Sequence, residues 1–438
     1  MYVPKWSWLS LVVVLLLFSI AALLAGCDLA QVQPTSAPAV PTDTPPPARP
    51  TSAATGETPP VPSVITLTMW TTEAFSPTQT VTQGRVLAQQ VAAFEASRPD
   101  VRIQFVLKKP YGKGGILDYL LTTSAVVPEL LPDLVIMDVD ELDAAVEGGL
   151  AQPLDDLIPP DLVGDLYAFA RQAGSFDGRL YGLQYWADLD HLVYNTGRMT
   201  VHPSSWPGVL SNPGPYLFPA GGQAGLVNDD FLIQYLAVRG QPGEGEPFLD
   251  EGSLAAVLQF YQDGTSQGIF PPEILELQST DDSWRDYLDG NAALSHVSTH
   301  GYLMERDLAL NSAAAPIPAI NGPGASIGRG WAIALVTSDP ARQSLAAEFL
   351  SQLMSPETSA AWNQAANYAP TRQAALALWD QTDGYTRFLQ QLLTAAQPRP
   401  ALTNYTQVAA ALQEAVEDVL SGAAAPEEAA AEAVEKVQ

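Results

Sequence analysis

From Val64 onward the chain falls into short apolar segments whose spacing switches between two periods, and that switching sets the first expectation about its fold. In "VITLTMW" apolar and polar residues alternate, the period of a strand with one face buried. In "GRVLAQQVAAFEASRP" apolar residues return every three or four positions, the stripe of a helix lying on a sheet. A second strand follows in "VRIQFVL", then a helix through "GGILDYLLTTSA", an apolar strand "LPDLVIMD" and a short helix "ELDAAVEGG" closed by Gly148 and Gly149. This succession predicts an α/β fold built on a largely parallel sheet covered by helices.

Asp177 and Gly178 form a two-residue hairpin signal between "GSF" and "RLYGLQYW", after which "HLVYNTG" reads as another strand. The middle of the chain is less regular. "NPGPYLFPAGGQAG" is rich in turn formers and precedes the helices "NDDFLIQYLAVRG" and "SLAAVLQFYQDGTSQG"; a strand, "GWAIALVT", returns only near Trp331. The helices "PARQSLAAEFLSQLMS" and "PETSAAWNQAAN" lead to "YAPTR", and "YTQVAAALQEAVEDVLSG" and "PEEAAAEAVEKV" end the chain. Pro426 and the two glutamates after it suit a first helical turn. No internal repeat of about 20 to 50 residues is present.

The amino terminus has a different texture. Lys5 precedes the apolar run Leu9–Leu24, and Ala25 and Gly26 lead to Cys27, the pattern of a signal peptide. "LAGC" resembles a bacterial lipobox, which implies that Cys27, the one cysteine in the chain, becomes the lipidated amino terminus; an uncleaved membrane anchor is the alternative. Residues 28–63 consist largely of Pro, Thr, Ser and Ala and read as an extended stalk outside the membrane.

Composition narrows the class. At 438 residues, with 47% hydrophobic side chains and 16% charged, the chain has apolar surface for a sizeable core and the length for two lobes. A formal net charge of -28 repels phosphate backbones, so nucleic acid is excluded as an expected partner.

Several linked stretches carry a family resemblance: "LPDLVIMDVDELDAAVEGGLAQPLDDLI", "GRLYGLQYWADLDHLVYNTG", "FYQDGTSQGIFPPE", "WRDYLDGNAALSH", and "GRGWAIALVTSDPARQSLAAEFLSQLMSPETSAAW" with "YAPTR". In order and spacing they resemble the family 1 extracellular solute-binding proteins, the maltose-binding-like receptors of ABC importers, from Val64 to the end of the chain. The resemblance implies a two-lobed, type II periplasmic-binding-protein-like fold, each lobe a sheet flanked by helices, closing on a solute in a hinge cleft. It implies residues 64–187 and 318–368 in lobe one and 188–317 and 369–438 in lobe two, with crossings near Trp186–Asp190, Ala315–Pro318 and Tyr368–Pro370. It further implies a monomeric, lipid-anchored receptor on the outer face of the cell membrane that takes a small solute, a carbohydrate above all, to ABC permease subunits, without cofactor, metal or catalysis.

In open α/β sheets ligands sit beyond the carboxyl ends of the strands, and a sugar asks for flat aromatic surfaces and for carboxylates or amides that take its hydroxyls. Trp70, Thr72 and Glu73 follow the first strand, Asp138 and Asp140 follow "LVIM", and Tyr185, Trp186, Asp188 and Asp190 fall where the chain would cross. Trp331 opens the late strand, and Tyr368 and Arg372 flank the last crossing. By resemblance Asp188 takes the place of a hinge-side acidic contact, and His300 with Tyr302 the place where relatives stack a Trp on sugar. Each has a plainer reading. The tryptophans can be core, Asp140 can cap the helix at Glu141, and Arg372 can pair with a substrate carboxylate or with an acid such as Glu73.

Catalytic and metal readings are weaker. "GASIG" matches a nucleophile elbow around Ser326 but precedes a strand instead of following one, so a turn is the better reading. His296 and His300, four apart, would share one helical face, yet a structural zinc site asks for more ligands than they supply. An Asp138–Asp188 pair across the cleft would suit a surface-anchored hydrolase, and an acidic cleft would also suit a cation such as a polyamine; both alternatives stay open.

Overall fold

The computed structural model describes residues 64–437 apart from 213, 243–245 and 403; the expected signal peptide, Cys27 and stalk lie outside the described residues. Strands in chain order are β1 (Ile65–Thr71), β2 (Val101–Leu107), β3 (Leu134–Asp138), β4 (Ser175–Phe176), β5 (Arg179–Leu180), β6 (Gly182–Asp188), β7 (Asp190–Asn195), β8 (Tyr216–Leu217), β9 (Leu294–Ser298), β10 (Ser312–Ala315), β11 (Arg329–Leu335) and β12 (Ala369–Pro370). Among the described residues they make one sheet of order β12-β6-β11-β3-β1-β2, a second of order β10-β7-β9-β8, and the β4–β5 ribbon, whose turn holds Asp177 and Gly178 at φ 50° and 74°. Both φ values are left-handed, which is why the hairpin uses Asp and Gly there.

The first sheet is apolar on both faces, and each face has its own helical cover. Helices Thr82–Ser97, Pro340–Leu353 and Pro356–Ala366 bring Leu87, Phe94, Phe349, Leu350 and Trp362 to one side. Helices Ile116–Val126 and Leu142–Glu147 bring Ile116, Leu120 and Leu142 to the other. These helices start where the sequence allows them to. Asp339 accepts hydrogen bonds from the Ala341 and Arg342 amides just ahead of Pro340, and Ser355 accepts from Thr358 ahead of Pro356, so the orphan donors of both first turns are met. A third core surrounds the second sheet, where helices Asp229–Arg239, Glu251–Ser266, Tyr405–Ser421 and Pro426–Val437 pack together. Among the described residues no helix is long and apolar enough to cross a membrane.

The sheets depart from the expected parallel pattern. β1 is parallel to β2 and β3, and β8 to β9, but β11 runs antiparallel to β3 and β6, and β12 antiparallel to β6. The reason is the route of the chain. β6 carries it out of the first sheet at Asp188, and β7 begins the second sheet at Asp190, two residues on. A strand that returns must enter at the same edge and run away from it, so Arg329 at the start of β11 lies opposite Asp188 at the end of β6.

That return comes later than Pro318. Residues 318–328 still belong to the second half of the fold: Ser205 bridges Ala319, Ile327 bridges Gln397, and the Trp206 amide donates to the Ala319 carbonyl at 2.9 Å. β9, β10 and helix Gly384–Ala395 have no counterpart among the elements read from sequence. In β9, "LSHVS", Ser295 and His296 are buried but hydrogen-bonded, so polar residues occupy core positions; in β10, "SAAA", alanines give no strand signal. His296 therefore sits on β9 and His300 on helix Thr299–Glu305, not on one helical face.

Candidate functional site

The carboxyl ends of β1, β2 and β3 and the start of β11 meet at one edge of the first sheet, beside the β6–β7 crossing. There a cavity of 780 Å³ is lined by Thr72 and Glu73 after β1, Lys108, Lys109 and Tyr111 after β2, and Trp186, Trp331 and Tyr368. Its aromatic wall is a stack. The Trp186 and Trp331 rings lie 5.9 Å apart with planes 13° from parallel, Tyr368 lies 5.7 Å from Trp186, and His300 lies 4.2 Å from Tyr368 at 14°. Trp186 is anchored from behind by Phe75 and by Trp362, which is fully buried. The stack requires glycine at 330, because a Cβ there would stand 2.0 Å from the Trp186 carbonyl oxygen, where the β6–β11 register shifts.

His300 leads into a second cavity of 360 Å³ on the far side of the crossing, lined by Asp188, Asp190, Asp229, Asp281, Gln223, Gln278, Thr280 and Arg329. A third, of 690 Å³, lies between Asp140, Phe176, Gln397, Arg399 and Tyr405, and shares Arg399 and Tyr405 with the second. Running between them is a chain of ion pairs. Arg329 Nη1 and Nη2 grip both oxygens of Asp190, Nη1 donates to Asp229 at 3.1 Å, and Nη2 donates to Asp188 at 3.3 Å. Arg399 donates to Asp229 at 2.7 Å and reaches Asp140 at 3.3 Å. Asp190 and Asp229 are almost wholly buried, so their charges depend on these guanidinium groups for compensation.

The sequence candidates divide. Thr72, Glu73, Trp186, Trp331 and Tyr368 gather on the first cavity and Asp188 and His300 on the second. Asp188 is engaged: it accepts from the Thr299 hydroxyl at 2.8 Å, the His300 amide at 2.9 Å and Arg329, fastening helix Thr299–Glu305 to the end of β6. Asp138 accepts the Tyr111 hydroxyl and caps the turn at Asp140. Asp140 does not cap the helix as expected: Asp138 caps the turn, and Asp140 lies within it, drawn to Arg399.

Four placements are corrected. Tyr185 is fully buried against Phe75 and Trp362, because it lies one residue before Trp186 on a strand covered on both faces. Trp70 packs into the opposite core, edge-on to Tyr119. Tyr302 stacks on Tyr385 at 4.4 Å inside the second core. Arg372 pairs with Asp165 at 2.8 Å and donates to the Met354 carbonyl at 2.7 Å, leaving Glu73 aside. Ser326 is buried and donates to the Asp190 carbonyl at 2.8 Å, as a turn residue and not a nucleophile elbow. Among the described residues no group of three or more His, Cys, Asp or Glu stands where it could hold a metal ion.

Residues that the sequence reading passed over include Lys108, Lys109, Tyr111, Arg329 and Arg399. "KKPYGK" was legible as a basic run just past a strand, and Arg329 as a lone cation two residues before Trp331; Arg399 carries no local signal. Glu141 was also missed. Its Oε2 is buried without a hydrogen-bond partner, and burial, helped by Asp138 and Asp140, pushes its carboxyl up to about 7. The folded state therefore holds that proton more tightly than the unfolded chain, and stability is lost as pH rises from about 4 through 7. Glu141→Gln is expected to raise the Tm at about pH 8 while leaving it unchanged at about pH 4; equal shifts at both pH values in thermal unfolding would contradict this.

The model of the bacterial extracellular solute-binding protein family matches residues 89–387, well over half of the chain. Among solved structures, the chain is similar to the cyclic alpha-maltosyl-1,6-maltose binding protein of Arthrobacter globiformis, with a TM-score of 0.70 at 19% identity over 86% of this chain and 98% of that one. It is similar to the sugar-binding protein MalE of Xanthomonas citri (TM-score 0.67, 18% identity, 85% and 96% covered) and to maltose-bound MalE of Listeria monocytogenes (0.65, 16%, 85% and 96%). At these identities the structural likeness speaks for the fold, the two-lobed α/β architecture of periplasmic binding proteins. With the family model spanning every strand of both sheets except β1, and the crossings between them, this chain belongs to the bacterial extracellular solute-binding proteins.

Proposed function

We propose that the chain is the membrane-tethered receptor of an ABC importer, holding a carbohydrate between its lobes and passing it to the permease. The observation that carries this reading is the stack of Trp331, Trp186, Tyr368 and His300 at the seam between the two sheets. Flat rings at that place meet the C–H faces of a sugar, while Thr72 beside them, and Gln223, Gln278 and Thr280 in the second cavity that His300 leads into, offer amides and hydroxyls to its rim. The structurally similar proteins that are named for binding sugar, cyclo/maltodextrin and maltose support a sugar as guest. Binding to both lobes favours the closed form by the difference in affinity between the two states. A hydrolase draws less support, since Asp188 and Asp138 are both tied up in internal hydrogen bonds; so does a polyamine receptor, since the hinge carboxylates are met by Arg329 and Arg399.

Titrating the full chain with mono- and oligosaccharides, neutral and acidic, while following Trp fluorescence and Tm tests the reading. A guest at about 100 times its Kd is expected to add about 2.7 kcal/mol of stability. Silence across the panel would defeat it. In a separate fractionation of cells expressing it, a Cys27→Ser chain is expected to move from the membrane fraction to the soluble one, and retention at the membrane would count against lipid tethering.

A further inference from the structure

The chain contains 48 acidic residues but five lysines: Lys5, Lys108, Lys109, Lys113 and Lys436. Three of the five stand within six residues, in "KKPYGK", and the structure places this run at the carboxyl end of β2, on the aromatic cavity. Lys108 and Lys109 line that cavity, where Glu73 is the one acidic side chain of the wall. Among the described residues no carboxylate lies within 4.0 Å of these lysine ammonium groups. That separates them from the other cations near the seam, because Arg329 and Arg399 each have buried acids as partners.

The lysines are also held in place. The Lys108 amide donates to the Thr71 carbonyl at 2.7 Å, and the Lys109 carbonyl accepts from the Ile116 amide at 3.1 Å, fixing the backbone to β1 and to the start of the next helix. Lys108 Nζ lies 4.0 Å from the Tyr119 ring centroid and 4.5 Å from that of Trp70. Ring faces orient an ammonium without cancelling its charge as a carboxylate would. In a strongly negative protein, an ammonium held on ring faces at Lys108 and a second, exposed one at Lys109, both without a carboxylate partner beside a stacking wall, fit a guest that is flat-faced and negative.

We propose that the carbohydrate carries an anionic substituent, a ring carboxylate or an ester sulfate, which Lys108 and Lys109 receive while its ring lies on Trp331, the partly exposed ring that the buried Trp186 backs. The proposal rests on the carbohydrate reading above and sharpens it. Its test is calorimetric titration of the full chain with trigalacturonate, a sulfated chondroitin disaccharide and neutral maltotriose, at about 0.05 M and 0.5 M salt. One of the acidic probes is expected to bind at least about tenfold more tightly than maltotriose at low salt, with the advantage shrinking at high salt. Which acidic probe binds tells carboxylate from sulfate. Changing both lysines, Lys108→Gln with Lys109→Gln, is expected to erase the preference, whereas Lys436→Gln, on the remote surface pair with Glu414 and Glu432, leaves it intact. Maltotriose binding as tightly as the better-bound acidic probe, or a preference that survives the double change, overturns the proposal alone. If all three probes are silent while a neutral sugar of the wider panel binds, the proposal alone fails; silence across the whole panel takes the carbohydrate reading with it.

Discussion

Arg329→Ala is expected to cost about 3–5 kcal/mol of folding free energy, the scale of an uncompensated buried charge. Arg329 bonds to Asp188, Asp190 and Asp229 at once, and the last two carboxylates have nowhere to turn: their side chains are 2% and 4% exposed. Its removal leaves Arg399 to hold Asp229 and nothing charged to hold Asp190. Burial already pushes the Asp190 carboxyl up to about 7 against the pull of Arg329. Without the guanidinium, the folded state takes up a proton there more readily than the unfolded chain does. The penalty is therefore smallest in acid and grows as pH rises. Urea unfolding across about pH 5 to 8 checks this, with Arg329→Met plus Asp190→Asn as companion, expected to recover much of the loss. A deficit below about 1 kcal/mol, or one independent of pH, would show that the network is not what fastens the crossing.

Trp331→Ala is expected to weaken the best-bound oligosaccharide by about 2 kcal/mol or more, roughly thirtyfold in Kd, as truncation of a central aromatic anchor does. Trp331 is the third residue of β11, stacks on Trp186, and lies 5.7 Å from Tyr111 in the cavity wall. Because it is only partly buried, the Tm is expected to fall by a few degrees at most. Tyr185→Phe supplies the contrast. The Tyr185 hydroxyl is buried without a hydrogen-bond partner, so its loss is expected to leave affinity unchanged and stability equal or slightly higher. Titration and thermal unfolding of both variants give the comparison; equal affinity in the Trp331→Ala chain would remove the stack from the binding surface.

The outline of the fold was legible because helix and strand periods report which face of an element is covered, and most elements here are amphipathic or buried in the usual way. The exceptions have local causes. β10 is made of Ser and Ala, and β9 uses serines and a histidine as core residues by meeting their hydrogen bonds internally. The mixed sheet was not legible, since strand direction follows from where the chain re-enters and not from any residue within the strand.

The candidate site was legible in kind and only partly in place. Trp70, Tyr185, Trp186 and Trp331 all look alike in sequence, as aromatics at the ends of apolar strands. In a sheet covered on both faces, side chains pointing either way are buried, so alternation cannot tell the core from the seam.

By itself the sequence determined much of the succession of strands and helices, the concentration of lysine at one loop, and enough linked motifs to point to the solute-binding family. Tertiary structure alone decided which of 48 acids would meet Arg329 and Arg399, and which rings would face outward. The bond from Arg329 to Asp190 spans 139 residues, and that from Arg399 to Asp229 spans 170. Local pattern fixes what each segment can bury, whereas partners so distant are chosen only when two sheets, crossed by one chain, bring their edges together.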